Sequence, residues 1–306
     1  TGQRIAGRFT LKRILGHGGM GVVWLANDDN LRADVALKFV PDLMLHDRAA
    51  MEGLGAEARL SLSLNHSNIV RIYDFIKEEN HGFILMEYVD GGTLKDLCYD
   101  QPGHFFEPVD IEKWMLQLCE VLTYAHEKAK IVHSDIKPQN LMVNAMGDLK
   151  VTDFGISRSI SESRTRSTSS RGGVRGAGTL AFMSPQQLNN KPPRSLDDIY
   201  TVGATIYNLV TGKPPFWGTE EQVSYLLNHT MPPTMVARRK EFGIEGKLVP
   251  RKWEETVAAC LAKEASKRPQ STREIARRLG LLDPPSGAAK TVIVLPQARD
   301  VIAALI

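Results

Sequence analysis

The spacing of hydrophobic and polar positions changes character near residue 90. Before it, short β-rich runs alternate with turn residues. Residues 9–15, 22–26 and 35–40 predict three strands, with Asn27-Asp28-Asp29-Asn30 turning the chain between the second and third. Residues 48–64, rich in Ala, Glu, Arg and Leu, predict a helix, and two further strands are expected near 69–76 and 82–88. Beyond Asp90-Gly91-Gly92 the texture is helical. Residues 111–128 place Ile111, Met115, Leu118, Val121 and Leu122 at helical spacing, and helices are expected at 201–211 and 253–263. The expected organisation is α+β: a β-rich segment over 1–90, a mainly helical one over 91–282, and a linker and tail over 283–306. That tail opens with Pro284-Pro285-Ser286-Gly287, and its apolar runs at 291–295 and 301–306 read as a strand or short helix docking on the main body.

Composition narrows the class. The 306 residues are 42% hydrophobic and 24% charged, which excludes a disordered or collagen-like chain. A net charge of +3 is too weak to argue for nucleic acid. Cys98, Cys119 and Cys260 are too few and too scattered for a disulfide framework or a metal knuckle. A reducing compartment, the cytoplasm, is therefore expected. No apolar run reaches the roughly 18 residues of a spanning helix, and no secretory signal is expected at the start. Thr1 in place of Met reads as an excised piece, so a membrane segment elsewhere in a longer protein stays open.

Gly16-His17-Gly18-Gly19-Met20-Gly21 matches G-x-G-x-x-G, a pattern that dinucleotide-binding folds share. Those folds pass from strand to helix through the glycines. Here Val22-Val23-Trp24-Leu25 follows, and then a turn, so the glycines sit at the tip of a hairpin. A backbone without side chains can lie close over phosphate oxygens. A plain Gly-rich β-turn is the competing reading of the loop alone.

The third strand then delivers Val35-Ala36-Leu37-Lys38, and from here the chain resembles the protein kinase family. His133-Ser134-Asp135-Ile136-Lys137-Pro138-Gln139-Asn140 resembles the catalytic loop H-R-D-x-x-x-x-N, and Asp153-Phe154-Gly155 is a complete D-F-G. Ser184-Pro185-Gln186 stands where A-P-E would be, Asp198 opens a D-x-x-x-x-G helix start, and Lys267-Arg268-Pro269 carries the late arginine. These motifs keep family order and spacing over about residues 8–280. The Gly-Gly-Met-Gly-Val loop is similar to that of bacterial eukaryotic-like (Hanks-type) Ser/Thr kinases. The resemblance implies a two-lobed fold and transfer of the γ-phosphate of ATP, with Mg²⁺, to Ser or Thr of a protein substrate.

Phosphoryl transfer needs positioning and charge neutralisation more than covalent chemistry. The resemblance therefore assigns each matched residue as a cation, a metal ligand or a proton acceptor. Lys38 would hold the α- and β-phosphates, itself held by a helix Glu. Glu57 is the choice for that Glu, eight residues before Asn65-His66-Ser67-Asn68, with Glu52 as rival. Asp135 would orient the acceptor hydroxyl, a carboxylate being a weak base. Lys137 would reach the γ-phosphate, and Asn140 and Asp153 would ligate Mg²⁺. Leu15, Val23, Ala36 and Met142 would sandwich the adenine, with Met86 behind it and the backbone of Glu87 and Val89 along its edge. Gly16, Gly18, Gly19 and Gly21 would cover the phosphates. Lys137 and Thr179 favour Ser or Thr as acceptor. Taken singly, Asp135, Asn140 and Asp153 are ordinary turn formers; the reading rests on the set. A nucleotide-binding pseudokinase is the alternative function, and it needs a catalytic group to be missing.

Two departures stand out. Ser134 replaces the Arg that, in many kinases, receives an activation-loop phosphate, so activity is expected to depend less on that phosphate. Gln186 replaces the charged partner of the late arginine, so Arg268 is expected to be less well satisfied and the segment below the site looser. Residues 156–178 hold nine Ser/Thr and five Arg against one acid, Glu162. Ser167, Thr168, Ser169 and Ser170 are candidate autophosphorylation sites there, which would need at least transient self-association.

Overall fold

The structure, a computed structural model, describes residues 2–18, 21–41, 48–77, 82–154 and 180–282. The expected tail at 283–306 lies outside them.

The first lobe is one six-stranded antiparallel sheet. Its strands are β1 (Arg4–Ile5), β2 (Phe9–Gly18), β3 (Gly21–Asp28), β4 (Ala33–Phe39), β5 (Ile72–Lys77) and β6 (Gly82–Glu87), in the order β1-β2-β3-β4-β6-β5. Residues alternate across the sheet. Val35 and Leu37 face one cluster, with Phe9, Phe83 and Leu85. Ala36 faces the other, with Met86 and Leu54. Leu54 and Met51 come from helix α1 (Arg48–Leu62), which closes that second face. β5 starts at Ile72, later than the sequence reading at 69. Ile69 instead makes a parallel bridge to Val151 of the second lobe before the chain enters β5.

The second lobe is helical. It is built from α2 (Leu94–Asp100), α3 (Pro108–Thr123), α4 (Pro185–Leu188), α5 (Ser195–Thr211), α6 (Glu220–His229), α7 (Met235–Glu241), α8 (Arg251–Cys260) and α9 (Thr272–Leu279). A small sheet of β7 (Gly92–Thr93), β8 (Leu141–Val143) and β9 (Leu149–Val151) lies against them. α5 is the buried axis: Ile199, Tyr200, Ile206 and Leu209 are fully enclosed, and its polar residues Asp197, Asp198, Thr201 and Thr205 are buried with them. The single helix expected over 111–128 is α3 followed by a wider π-helical stretch, Tyr124–Ala129, ended by Lys130 in the left-handed conformation. Within this stretch His126 Nε2 lies 2.7 Å from Asp198 Oδ2.

Gly91 marks the seam. A Cβ there would lie 1.7 Å from the Val143 carbonyl oxygen, so the link between the lobes passes β8 at a distance only glycine allows. Asp90 Oδ1 accepts from Ala145 N at 2.9 Å beside it.

Candidate active site

The glycine loop is a hairpin: Gly18 pairs with Gly21 at its base and β3 continues from there, with no helix following. Gly21 has φ 111°, and a Cβ would meet the Phe39 carbonyl oxygen at 2.0 Å. Gly19 lies outside the described residues.

β4 carries Lys38 into the interior, where it is 6% exposed. A buried ammonium needs an anion. Lys38 Nζ donates to Asp153 Oδ1 at 2.6 Å. Asp153 follows β9 in the left-handed region, φ 64°, a conformation that Asp tolerates better than most residues. Burial works to raise its pKa, but the charge and hydrogen bond of Lys38 outweigh that, with His133 and Lys137 adding to them. The net shift is downward, so Asp153 is a carboxylate at neutral pH.

The loop from 131 to 140 is held by side chains rather than by secondary structure. Asp198, at the first turn of α5, accepts from His133 N at 2.9 Å and Ser134 N at 2.7 Å. His133 Nδ1 accepts from Asp135 N at 3.2 Å, its Nε2 lies 2.9 Å from the Thr152 carbonyl, and its ring lies 4.5 Å from that of Phe154. Lys137 Nζ lies 3.0 Å from Asp135 Oδ1 and 2.8 Å from Oδ2. Asn140 Nδ2 donates to the Asp135 carbonyl at 2.7 Å and to Oδ2 at 2.9 Å. Its own carbonyl accepts from Thr152 N at 3.0 Å, next to Asp153. With Nδ2 turned toward Asp135, the amide oxygen of Asn140 faces away from it.

The residues that the resemblance assigns to adenine lie together around one slot. Ala36, Met86 and Val89 are buried in one cluster, and Leu15, Val23 and Met142 pack on it partly exposed. Leu15 and Val23 come from the upper sheet and Met142 from β8, so the slot has a wall from each lobe. Glu87 Oε1 accepts from Lys150 Nζ of β9 at 2.6 Å, and its Oε2 accepts from Arg71 N at 3.0 Å, which ties the slot's edge to both lobes. A small pocket lies against Lys38 and Asp153, lined also by Leu64, Ile72, Val151 and Phe154.

Glu57 is in α1, but its side chain lies outside the described residues, as do Thr179, Ser167, Thr168, Ser169 and Ser170. Its rival Glu52 is exposed on the helix surface. Ser61, one turn after Glu57, donates its hydroxyl to the Phe154 carbonyl at 2.9 Å, so this face of α1 touches the D-F-G segment. No part of the sequence reading singled out Ser61.

The expectation for Arg268 is overturned. It is 2% exposed and donates to Ala262 O at 2.8 Å, Leu196 O at 2.7 Å, Lys263 O at 3.2 Å and Gln186 Oε1 at 2.6 Å. Gln186 Nε2 also donates to Lys263 O at 2.9 Å. An amide both accepts from the guanidinium and donates to a carbonyl, which a carboxylate cannot do.

Hard oxygen donors on Asp153 and Asn140 suit a small divalent cation that takes its other ligands from phosphate and water. Among the described residues no group of three or more His, Cys, Asp or Glu side chains is placed to hold a metal ion by itself.

A sheet lobe and a helical lobe, with an apolar slot and two lysine–carboxylate pairs between them, define a phosphotransferase of the kinase kind. Residues 9–278 match the sequence model of the family described as protein kinase domain, and the chain belongs to that family. It is 38% identical to the serine/threonine-protein kinase PrkC of Bacillus subtilis over 239 residues, 78% of this chain and 35% of that protein. It is 33% identical to the serine/threonine-protein kinase PknB of Mycobacterium leprae over 280 residues, 90% of this chain and 43% of that one. The chain thus spans less than half the length of these relatives. Among solved structures, a double mutant of the Mycobacterium tuberculosis PknI kinase domain superposes with a TM-score of 0.70 at 21% identity, covering 91% of this chain and 96% of that one. That likeness shows the fold. Kinases of this family use ATP and a divalent metal.

Proposed function

We propose that this chain is the catalytic domain of an ATP- and Mg²⁺-dependent protein kinase acting on Ser and Thr hydroxyls, its own included. The observation that carries the reading is the convergence of Lys38–Asp153 and Lys137–Asp135 on one cleft, joined through Asn140.

Lys38 grips the α- and β-phosphates once it exchanges part of its bond to Asp153 for phosphate oxygens. Asp153 and the Asn140 amide oxygen hold the metal, which when bound neutralises charge on the phosphate oxygens. Asp135 accepts a hydrogen bond from the incoming hydroxyl and aims it at phosphorus. Lys137 neutralises charge on the transferring group. Glu57 steadies Lys38. Leu15, Val23, Ala36 and Met142 enclose the adenine ahead of Met86, while the backbone of Glu87 and Val89 takes its edge. Thr179 meets the acceptor segment. The acceptor class follows from Lys137 and from the names of the relatives.

The same proposal takes residues 1–90 and 91–282 as the two lobes and places the domain in the cytoplasm. The absence of disulfides at Cys98, Cys119 and Cys260 supports that location. Among the described residues no helix is long and apolar enough to cross a membrane. Autophosphorylation between two copies, at hydroxyls such as Ser167, Thr168, Ser169 or Ser170, implies transient self-association.

The test is transfer of labelled γ-phosphate onto the chain and onto a generic basic protein, with Asp135→Asn as control. Transfer to Ser and Thr that falls about 10²–10⁴-fold in the variant is expected. Nucleotide binding without transfer by the native chain would establish the pseudokinase reading instead.

A further inference from the structure

Asp135 projects from a backbone that is pinned on both sides of one residue. Ser134 holds φ 69°, a conformation a serine keeps only where its surroundings over-determine it. Its N–H donates to Asp198 Oδ1 at 2.7 Å, and its carbonyl accepts from Gln187 Nε2 at 2.7 Å. The second bond comes from α4, at the end of the segment that begins with D-F-G.

The other end of the Gln187 amide is engaged too. Oε1 accepts from Ser184 N at 2.9 Å, while Ser184 Oγ accepts from Gln187 N at 3.1 Å: a reciprocal cap on α4. Ser184 Oγ donates in turn to Asp197 Oδ1 at 2.5 Å, and Asp197 adjoins Asp198. The bonds therefore close a ring through Asp198, Ser134, Gln187, Ser184 and Asp197. A cap accounts for Oε1. It does not account for Nε2, which is committed to the one carbonyl that immediately precedes Asp135.

We propose that Gln187 is a positioning residue for phosphoryl transfer, holding the Ser134 carbonyl so that the Asp135 side chain stays aimed at the acceptor hydroxyl. This rests on Asp135 being the group that orients that hydroxyl. The link is an uncharged amide, and the residue whose carbonyl it holds, Ser134, stands where many kinases carry an arginine. Without it the 134–135 peptide gains freedom to rotate, and small misplacements of a catalytic carboxylate are costly.

Two substitutions separate the two ends of the amide. Gln187→Glu keeps the acceptor for Ser184 N and loses the donor to Ser134. Gln187→Lys keeps a donor and loses the acceptor. The expected result is that kcat follows the donor and thermal stability follows the cap. Gln187→Glu lowers kcat about tenfold with the KM for ATP within about twofold of native. Gln187→Lys unfolds at a lower temperature yet keeps a kcat at least about threefold above that of Gln187→Glu. Equal kcat losses in both variants, or a native kcat in Gln187→Glu, would overturn the proposal. If Gln187→Glu does not fold, Gln187→Lys decides alone: a kcat loss of about tenfold or more in the folded protein sinks the idea, and a smaller loss supports it. Asp135→Asn, run alongside, reports on the underlying reading: full transfer there would refute the role of Asp135 whatever the Gln187 variants do.

Discussion

Lys38 and Asp153 meet at 2.6 Å across 115 residues of sequence, one from the sheet lobe and one from the helical lobe. Their ion pair is one of two short charge pairs that join the lobes at the cleft among the described residues, the other being Lys150 with Glu87 at 2.6 Å. It leaves each charge compensated in a place where neither would be stable alone.

Lys38→Met is expected to lower phosphate transfer at least about 100-fold. It also strands Asp153 in a buried position, so the carboxyl pKa rises above its native value. The double variant Lys38→Met with Asp153→Asn removes that stranded charge. Urea unfolding should find the double variant more stable than Lys38→Met alone, although both are inactive.

Arg268→Met removes the donor from three carbonyls and the Gln186 amide oxygen at once. Urea denaturation should show a loss of about 3–5 kcal/mol. Gln186→Glu, by contrast, gains a charge-assisted bond to Arg268 and loses the donor to Lys263 O. Its stability should stay within about 1 kcal/mol of native.

Gly91→Ala forces a Cβ toward the Val143 carbonyl and pushes the lobes' connection away from β8. Overpacking of this kind costs about 1–3 kcal/mol. Because the displaced strand end adjoins Val89 and Glu87, the KM for ATP should rise as well, which steady-state kinetics would show.

Lys263 introduces a pH dependence. Burial lowers its ammonium to about 8, and the charge of Arg268 pushes the same way. Its Nζ lies 4.7 Å from the centre of the Phe216 ring. Native protein releases this proton near that pH, whereas the unfolded chain holds it up to the ordinary lysine value of 10.5. Between the two the unfolded state binds more protons, so this group makes stability rise with pH. Lys263→Met should remove that contribution. The stability difference between native and variant, followed by urea unfolding from pH 7 to 10, should change in favour of the native protein as pH rises.

Much of the site was legible because its motifs keep the order and spacing of the kinase family. Local pattern gave only a strand carrying a lysine, a glycine hairpin and polar residues at turns; the resemblance of the whole set is what named Lys38, Gly16, Gly18, Gly21, Asp135, Asn140 and Asp153 in advance. Gln187 carried a weaker signature, the Ser184-x-x-Gln187 capping pattern, which points to a helix start and says nothing of Ser134. Ser61 carried none, since a serine late in a helix has no pattern that marks its hydroxyl as a partner of Phe154.

The sequence by itself determined the change from a β-rich to a helical texture near residue 90, because burial and backbone preference act over a few residues at a time, and its motifs, taken as a set, named the candidate groups in the cleft. Tertiary structure decided which charges neutralise each other and how Arg268 is satisfied. Those outcomes depend on the direction of individual N–H and C=O bonds brought together from distant segments. An amide at Gln186 or Gln187 can accept at one end and donate at the other, and only the assembled fold says which atom each end meets.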